Sequence, residues 1–212
     1  MKPILKTIIL LVVVFTAITT RAQRTTEIGL TGGATRFYPE AQHLGSNRNN
    51  RMDNGWGWTA GVFIEDHWKP KIHQIVEINY YSLLSDVYFQ KIVGKPYNND
   101  ENYQIIDGDY DNTSFNQIAV SGGIKYFLNK RLFVYPGFEL ARALNGNIDI
   151  NKTTYNLKLG AGADFRGVDI LLEYTYGLKY QRMVYDYSVP FASTHRSQYL
   201  QLKVQVPLFR LR

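Results

Sequence analysis

The sequence predicts an all-β fold, namely an eight-stranded antiparallel up-and-down transmembrane β-barrel with short periplasmic turns and long extracellular loops. Three observations lead to this prediction: segments in which apolar and polar residues alternate, connections that alternate between short and long, and glycines on the polar face. Successive side chains of a strand point to opposite faces. In the last segment, Leu200 and Leu202 therefore share one face. Gln201 and Lys203 share the other.

Each predicted strand is a run of this alternating kind, bounded by turn-forming residues. In chain order the strands are Thr26–Phe37, Gly57–Trp68, Ile72–Leu84, Phe115–Leu128, Leu132–Leu144, Thr153–Phe165, Val168–Tyr180 and Tyr199–Phe209. The tight turns are Lys69–Lys71, Asn129–Arg131 and Arg166–Gly167. The longer connections are Tyr38–Trp56, Ser85–Ser114, Asn145–Lys152 and Gln181–Arg196. This alternation is typical of outer-membrane barrels, and an even strand count leaves both chain ends on the short-turn side.

The composition of the two faces indicates that the apolar face contacts lipid rather than a protein core. Small residues suit the crowded interior of an eight-stranded barrel, whereas a strand facing water gains nothing from them. The glycines on the polar face are Gly29, Gly61, Gly123, Gly137, Gly160, Gly162 and Gly177. Aromatic residues near the segment ends suit the two membrane interfaces. They include Trp58, Trp68, Tyr80, Tyr126, Phe165 and Tyr176.

The polar face predicts a network of charges inside the barrel. It consists of Glu27, Glu65, Glu77, Lys125, Glu139, Lys158, Asp164, Asp169, Glu173, Lys179 and Lys203. Eight strands enclose a space about wide enough for side chains alone, so we expect a paired, hydrated plug rather than an open pore. An ion or proton path through these groups is the functional alternative.

The N-terminus predicts export. Lys2 and Lys6 precede an apolar run, and Thr20 and Ala22 supply small residues before a cleavage site. Residues 1–22 therefore read as a cleaved signal peptide and 23–212 as the barrel. Loss of the signal would lower the net charge from +6 to +3, since it carries three basic and no acidic residues.

The chain has no cysteine and no basic block, which excludes thiolate metal sites and gives no indication of nucleic-acid binding.

The signal ending Arg21-Ala22-Gln23, the stretch GLTGGATRFY that follows it and the eight alternating strands resemble the small outer-membrane β-barrel proteins of the Bacteroidota, including the PorT-like proteins. The resemblance implies an eight-stranded barrel related in architecture to OmpA and OmpX. PorT is associated with type IX secretion, but no residue here matches one diagnostic of PorT, so the resemblance does not carry that role.

Catalytic residues, cofactor-binding residues and metal ligands are not predicted. His195 and Ser197 have the spacing of the His-x-Ser pair of outer-membrane lipid A deacylases, but the asparagine after that family's serine is replaced here by Gln198. His43, His67 and His73 show no metal-ligand spacing, and we expect them at the interface or in solvent.

The acidic segment Asp107–Asn112 resembles a calcium loop only in composition. An EF-hand loop begun at Asp107 would require glycine at Asn112 and glutamate at Ile118. Binding of a divalent ion within residues 100–111 stays open.

The function expected from the sequence is that of a non-enzymatic outer-membrane protein with a structural or surface-interaction role. Arg48 and Arg51 are candidates for contact with lipopolysaccharide phosphate. Aromatic residues in the two longest later loops suit a protein partner. They are Tyr97, Tyr103, Tyr110, Tyr185, Tyr187 and Phe191. Two alternatives stay open: a lipid A-modifying hydrolase using His195 and Ser197, and an accessory subunit of a secretion or uptake assembly.

Overall fold

The computed structural model describes residues 25–38, 40–42, 51–52, 54–88, 91–93, 104–106, 110–144, 153–184 and 192–211. Side-chain environments are described for 25–38, 54–84, 114–144, 153–179 and 196–211. The predicted signal peptide lies outside these residues. Within them, no helix is long and apolar enough to cross a membrane.

The described chain is built from strands. In order these are β1 (Thr26–Phe37), β2 (Glu40–Gln42), β3 (Arg51–Met52), β4 (Gly55–Lys69), β5 (Ile72–Tyr88), β6 (Lys91–Val93), β7 (Gln104–Ile106), β8 (Tyr110–Phe127), β9 (Leu132–Ala143), β10 (Thr153–Phe165), β11 (Val168–Val184) and β12 (Ala192–Leu211). Eight long strands pair in the order β1-β4-β5-β8-β9-β10-β11-β12, and β12 pairs again with β1. The sheet is therefore a closed barrel in which every neighbour is antiparallel.

The predicted fold class is confirmed, and the predicted strands correspond one to one with the eight barrel strands. Two have the predicted bounds, Thr26–Phe37 and Thr153–Phe165. Most of the others are longer at the end opposite the tight turns, so that the predicted connections Ser85–Ser114 and Gln181–Arg196 are too long. Polar residues at these strand ends continue the backbone hydrogen bonds between neighbouring strands. This pairing does not require an apolar face.

The short turns are fixed by local chemistry. Asn129 Oδ1 accepts hydrogen bonds from the backbone N–H groups of Arg131 and Leu132, both at 2.8 Å. In the next short turn Arg166 and Gly167 have φ of 60° and 89°. Two consecutive positive φ values are typical of the type I′ turn, whose twist matches that of an antiparallel pair.

The outward face is apolar and exposed, as predicted. Leu202 is 54% exposed and Leu159 65%, whereas Lys203 and Gln201 are 0% exposed. Apolar side chains that a water-soluble fold would bury thus cover the outside of the barrel, since burying them is the main driving force of folding in water. A closed barrel with this surface leaves no sheet edge unpaired, which is what a lipid environment requires.

The inward face contains more aromatic and aliphatic residues than the sequence predicted. They form two clusters: Phe37, Tyr81, Leu83, Phe115, Ala119, Ala141, Ala143 and Tyr199 towards the long connections, and Phe63, Ile75, Phe127, Phe133, Tyr135 and Leu171 towards the short turns. Inward glycines make room for these rings. A Cβ at Gly123 would lie 2.3 Å from Cε2 of Tyr135, and one at Gly162 would lie 2.5 Å from Cζ of Phe133.

Candidate functional site

The centre of the barrel is organised around the carboxylate of Glu77, which is fully buried. Lys203 Nζ donates hydrogen bonds to its two oxygens at 2.9 and 2.8 Å, and Lys158 Nζ donates at 3.2 Å. Ser121 Oγ donates at 3.0 Å and Gln205 Nε2 at 2.5 Å. A buried carboxylate held by charged and neutral donors on several strands ties those strands together.

Lys158 extends this arrangement to two more carboxylates. Its Nζ lies 2.9 Å from Oε1 of Glu173 and 3.6 Å from Oε2 of Glu139. Glu139 also accepts hydrogen bonds from Tyr81 Oη at 2.7 Å and Asn156 Nδ2 at 2.9 Å. We call this group of ionised residues the central cluster. It consists of Glu77, Glu139, Glu173, Lys158 and Lys203.

A second lysine site lies nearer the short turns. Lys125 Nζ is 2.5 Å from both Glu65 Oε2 and Asp169 Oδ2, and the lysine is fully buried. The ammonium also lies 5.1 Å from the ring centroid of Phe133 and 5.9 Å from that of Phe63. The rings of the apolar cluster thus contact a cation, an arrangement favoured by the negative faces of aromatic rings.

One residue of the predicted interior network lies outside it, and another lies at its short-turn edge. Lys179 is exposed, so its predicted place in the interior is wrong. The register between β11 and β12 shifts between Tyr176 and Tyr180, and such a bulge interrupts the alternation on which the prediction rested. Asp164 is half-buried near the end of β10, where its Oδ1 accepts a hydrogen bond from Gly167 N at 2.8 Å.

The short-turn end of the barrel holds a further group of ionisable residues. Arg210 pairs with Glu27, joining the last strand to the first. Nε2 of His67 lies 3.6 Å from the same Glu27 oxygen. These residues surround a cavity of about 50 Å³, which is lined also by Asp164 and Asp169.

A bulge in the β4–β5 hairpin brings two histidines together at this cavity. Asp66 pairs with Gln74 and Lys69 with Ile72, so that two residues of β4 stand opposite the single His73. The rings of His67 and His73 are stacked, with centroids 3.9 Å apart and planes 14° from parallel.

Glu65 contacts both imidazoles. Its Oε1 lies 2.6 Å from His73 Nδ1 and 3.7 Å from His67 Nε2. The ligand atoms of these three residues all lie within 4.8 Å of one another. We call Glu65, His67 and His73 the mouth triad.

The mouth triad was not predicted, because the spacing of histidines along a single segment gives no sign of it. His67 and His73 flank the predicted tight turn Lys69–Lys71. Pairing of the two strands across that turn would have indicated that the two histidines lie close together. These two residues, expected at the interface or in solvent, are half-buried at the short-turn end of the barrel. His43 lies outside the described residues.

The pair proposed for catalysis has its serine inside the barrel. Ser197 is buried, at 4% exposure, and lies on the inward face of β12. The backbone of His195 pairs with Gln181 of β11 at the end away from the short turns. A lipid at the outer surface of the barrel would not reach the Ser197 hydroxyl.

Of the predicted lipopolysaccharide contacts, Arg48 lies outside the described residues and Arg51 is described by its backbone alone, in β3. A different arginine occupies the outer surface at the long-connection end. The guanidinium of Arg36 lies 4.5 Å from the ring centroid of the exposed Trp56 and 5.9 Å from that of Tyr38.

The closed sheet, its apolar exterior and its filled interior define the chain as a small transmembrane β-barrel. No protein-family model matches the sequence. No curated protein matches it either.

Several solved structures resemble the barrel. Ail of Yersinia pestis, in complex with the heparin analogue sucrose octasulfate, is 11% identical and has a TM-score of 0.45, covering 88% of this chain and 100% of that chain. Neisserial surface protein A is 15% identical, with a TM-score of 0.43 and coverage of 87% and 99%. OprG of Pseudomonas aeruginosa is 7% identical, with a TM-score of 0.45 and coverage of 87% and 95%. Because the sequence identities and the TM-scores are both low, the fold is assigned from the strand pairing of this chain itself.

Proposed function

We propose that this protein is a non-enzymatic integral outer-membrane protein whose barrel is a plugged anchor for surface-exposed connections. The observation that carries the proposal is the contrast between the two faces of the sheet. Large side chains such as Tyr81, Tyr135 and Tyr199 are fully buried inside the barrel, together with Lys125 and Lys203. The outside carries exposed apolar residues.

The interior charges act, in this proposal, as a structural plug. Each of the three buried lysines, Lys125, Lys158 and Lys203, has carboxylates within 4 Å, so none of them is held as an isolated charge. Ionised groups that are mutually paired and hydrogen-bonded resist displacement by a passing ion, because their separation would leave a buried charge uncompensated. One cluster of aromatic and aliphatic residues lies on the long-connection side of the central cluster, and the other lies on its short-turn side. A continuous water path through such an interior is disfavoured.

The proposed location is the outer membrane, with the short turns in the periplasm. Closed barrels satisfy every backbone hydrogen bond without water, and outer-membrane barrels place short turns on the periplasmic side. The sequence supports this placement through the signal peptide proposed for residues 1–22. The resemblance to the PorT-like barrels of the Bacteroidota supports a Gram-negative envelope in the same way.

The long-connection end is the proposed contact surface. Arg36 is stacked on Trp56 there and faces outward, where its guanidinium can pair with lipid phosphate. Arg48 and Arg51 lie between β1 and β4 in the sequence, and they would add to this contact with lipopolysaccharide. The aromatic residues of the later connections would serve a protein partner.

The two alternatives have less support. The buried position of Ser197 disfavours a lipid A-modifying hydrolase, since a nucleophile has to meet its substrate within about 3–3.5 Å. An accessory role in a secretion or uptake assembly rests on the family resemblance alone. Crosslinking of the native protein in gentle detergent would separate that role from a lone anchor by recovering a stable stoichiometric partner.

The plugged anchor is tested by conductance and by surface labelling. We expect the purified full chain to give no stable conductance steps in planar lipid bilayers, because side chains fill its interior.

An epitope tag placed between Asn98 and Asn99 should bind antibody on intact cells. A tag after Arg212, the matched control, should bind only after the outer membrane is opened. Steady ion conductance would contradict the plug, and the reverse pattern of labelling would contradict the orientation.

A further inference from the structure

The mouth triad has a composition that suits a metal ion. Imidazole and carboxylate are a frequent ligand set for zinc in a chain without cysteine, and two histidines with one glutamate leave a fourth position for water. The three side chains come from β4 and β5 on either side of one tight turn. Their imidazole rings, which are stacked with planes 14° from parallel, would have to turn about their side-chain torsions for both nitrogens to point at one ion.

The free ligand atom of the triad is Nε2 of His67. It is shielded from solvent, and no hydrogen-bond partner for it is found among the described residues. Its contacts with the carboxylates of Glu27 and Glu65, at 3.6 and 3.7 Å, are too long for hydrogen bonds. A buried nitrogen that has only two long carboxylate contacts and no hydrogen bond is poorly satisfied, and a cation between it and the two carboxylates would satisfy all three.

The charge around the cavity favours a cation. The carboxylates of Glu27, Glu65, Asp164 and Asp169 line it, whereas Arg210 is the one arginine or lysine in its lining. Lys125, just inside, pairs with Glu65 and Asp169. Among the described residues at this end, acidic groups thus outnumber the arginine and lysine groups that contact them.

We propose that the mouth triad binds one Zn²⁺ ion, with Glu27 or water as the fourth ligand. Ligand atoms at about 2.1 Å from a tetrahedral zinc lie about 3.4 Å from one another. The distances from His67 Nε2 to Glu27 and Glu65 come close to this value. The hydrogen bond between His73 Nδ1 and Glu65 Oε1, 2.6 Å long, opens by less than 1 Å as the metal replaces the shared proton.

Neighbouring groups hold the ligands in place. The ring of His73 packs against Phe127, with centroids 4.6 Å apart. The second oxygen of Glu65 is fixed by Lys125, which leaves Oε1 for the metal. Contacts that orient the ligands of a metal site in this manner raise its affinity. With Glu27 as the fourth ligand, the bound ion would join β1 to the β4–β5 hairpin.

The test measures zinc binding to the folded full chain, purified without a polyhistidine tag. Equilibrium dialysis with metal analysis should give about one Zn²⁺ per chain. His67→Asn and His73→Asn should each weaken binding at least about tenfold. His195→Asn removes a histidine from the opposite end of the barrel and should leave the affinity unchanged. Heat-modifiable migration on a gel verifies that each variant is folded.

A second measurement keeps the test independent of the variants. X-ray absorption of the zinc-loaded wild-type protein should show two imidazoles and oxygen ligands at the metal. Binding that is lost equally in His195→Asn, a stoichiometry far below one, or a metal spectrum without imidazole would overturn the proposal. None of these outcomes would alter the plugged-anchor function, whose test does not involve metal.

Discussion

At the scale of single residues, the barrel interior is a set of ionised side chains that are tolerable only together. Lys203 is fully buried and lies 2.8 Å from Glu77 and 3.7 Å from Glu173. Removal of one member leaves the others with uncompensated charge in a region that water reaches poorly. The central cluster holds three carboxylates against two lysines, so loss of a lysine is the more harmful change.

We expect Lys203→Met to lower the free energy of unfolding by about 3–5 kcal/mol, because the buried Glu77 loses its nearest ammonium. The double variant with Glu77→Gln should cost less than the sum of the two single changes, by about 0.5–3 kcal/mol. Urea titration in detergent or liposomes measures both values. Lys179→Met is the matched control, since Lys179 is exposed and its loss should change stability by less than about 1 kcal/mol. Equal losses at both lysines would contradict the paired plug.

Two adjacent glycines test the crowding of the interior. A Cβ at Gly123 would lie 2.3 Å from the ring of Tyr135 and 2.7 Å from the backbone oxygen of Pro136, whereas one at Gly122 would lie 3.7 Å from its nearest neighbour. Gly123→Ala should therefore destabilise the barrel by about 1–3 kcal/mol. Gly122→Ala, the control on the other face, should stay within about 0.5 kcal/mol. Equal unfolding midpoints for the two variants would show that the interior has spare room.

At the scale of elements, each strand separates a lipid-facing from an inward-facing side, and β12 shows this over most of its length. Leu200, Leu202 and Val204 are exposed, and the residues between them are buried. The register shifts in β11 near Tyr176, in the β4–β5 hairpin and in β12 at Leu208. Such bulges change the direction in which neighbouring side chains point. The first two mark positions at which alternation failed to predict the environment.

The lipid-facing side of β12 gives a depth-dependent prediction. Leu202→Arg should destabilise the barrel in liposomes by about 2–4 kcal/mol, because a charge near the middle of the bilayer is poorly solvated. Leu208→Arg should cost only about 0–1 kcal/mol, because Leu208 lies near the short-turn end. The two leucines are 54% and 53% exposed, so exposure alone predicts no difference between them. Similar losses for the two variants would argue against a membrane around this strand.

At the scale of the whole molecule, closure of the barrel makes the other features possible. β12 pairs with β1 from Thr26 to Phe37, so the first and last strands of the sheet have no free edge. Closure also brings together residues far apart in the sequence. Glu27 meets Arg210, and Glu77 meets Lys203. Such contacts define both the plug and the mouth of the barrel.

The sequence by itself determined the strand number, the alternation of short and long connections, and which face of each strand meets lipid. These follow from period-two patterning and turn residues, which are local properties. The tertiary structure decided which charges pair, where aromatic rings fill the interior, and that His67 and His73 meet over Glu65. The physical reason is that register and bulges set these contacts, and a shift of one residue reverses the direction of a side chain. Alternation within one segment contains no information on the register of the next.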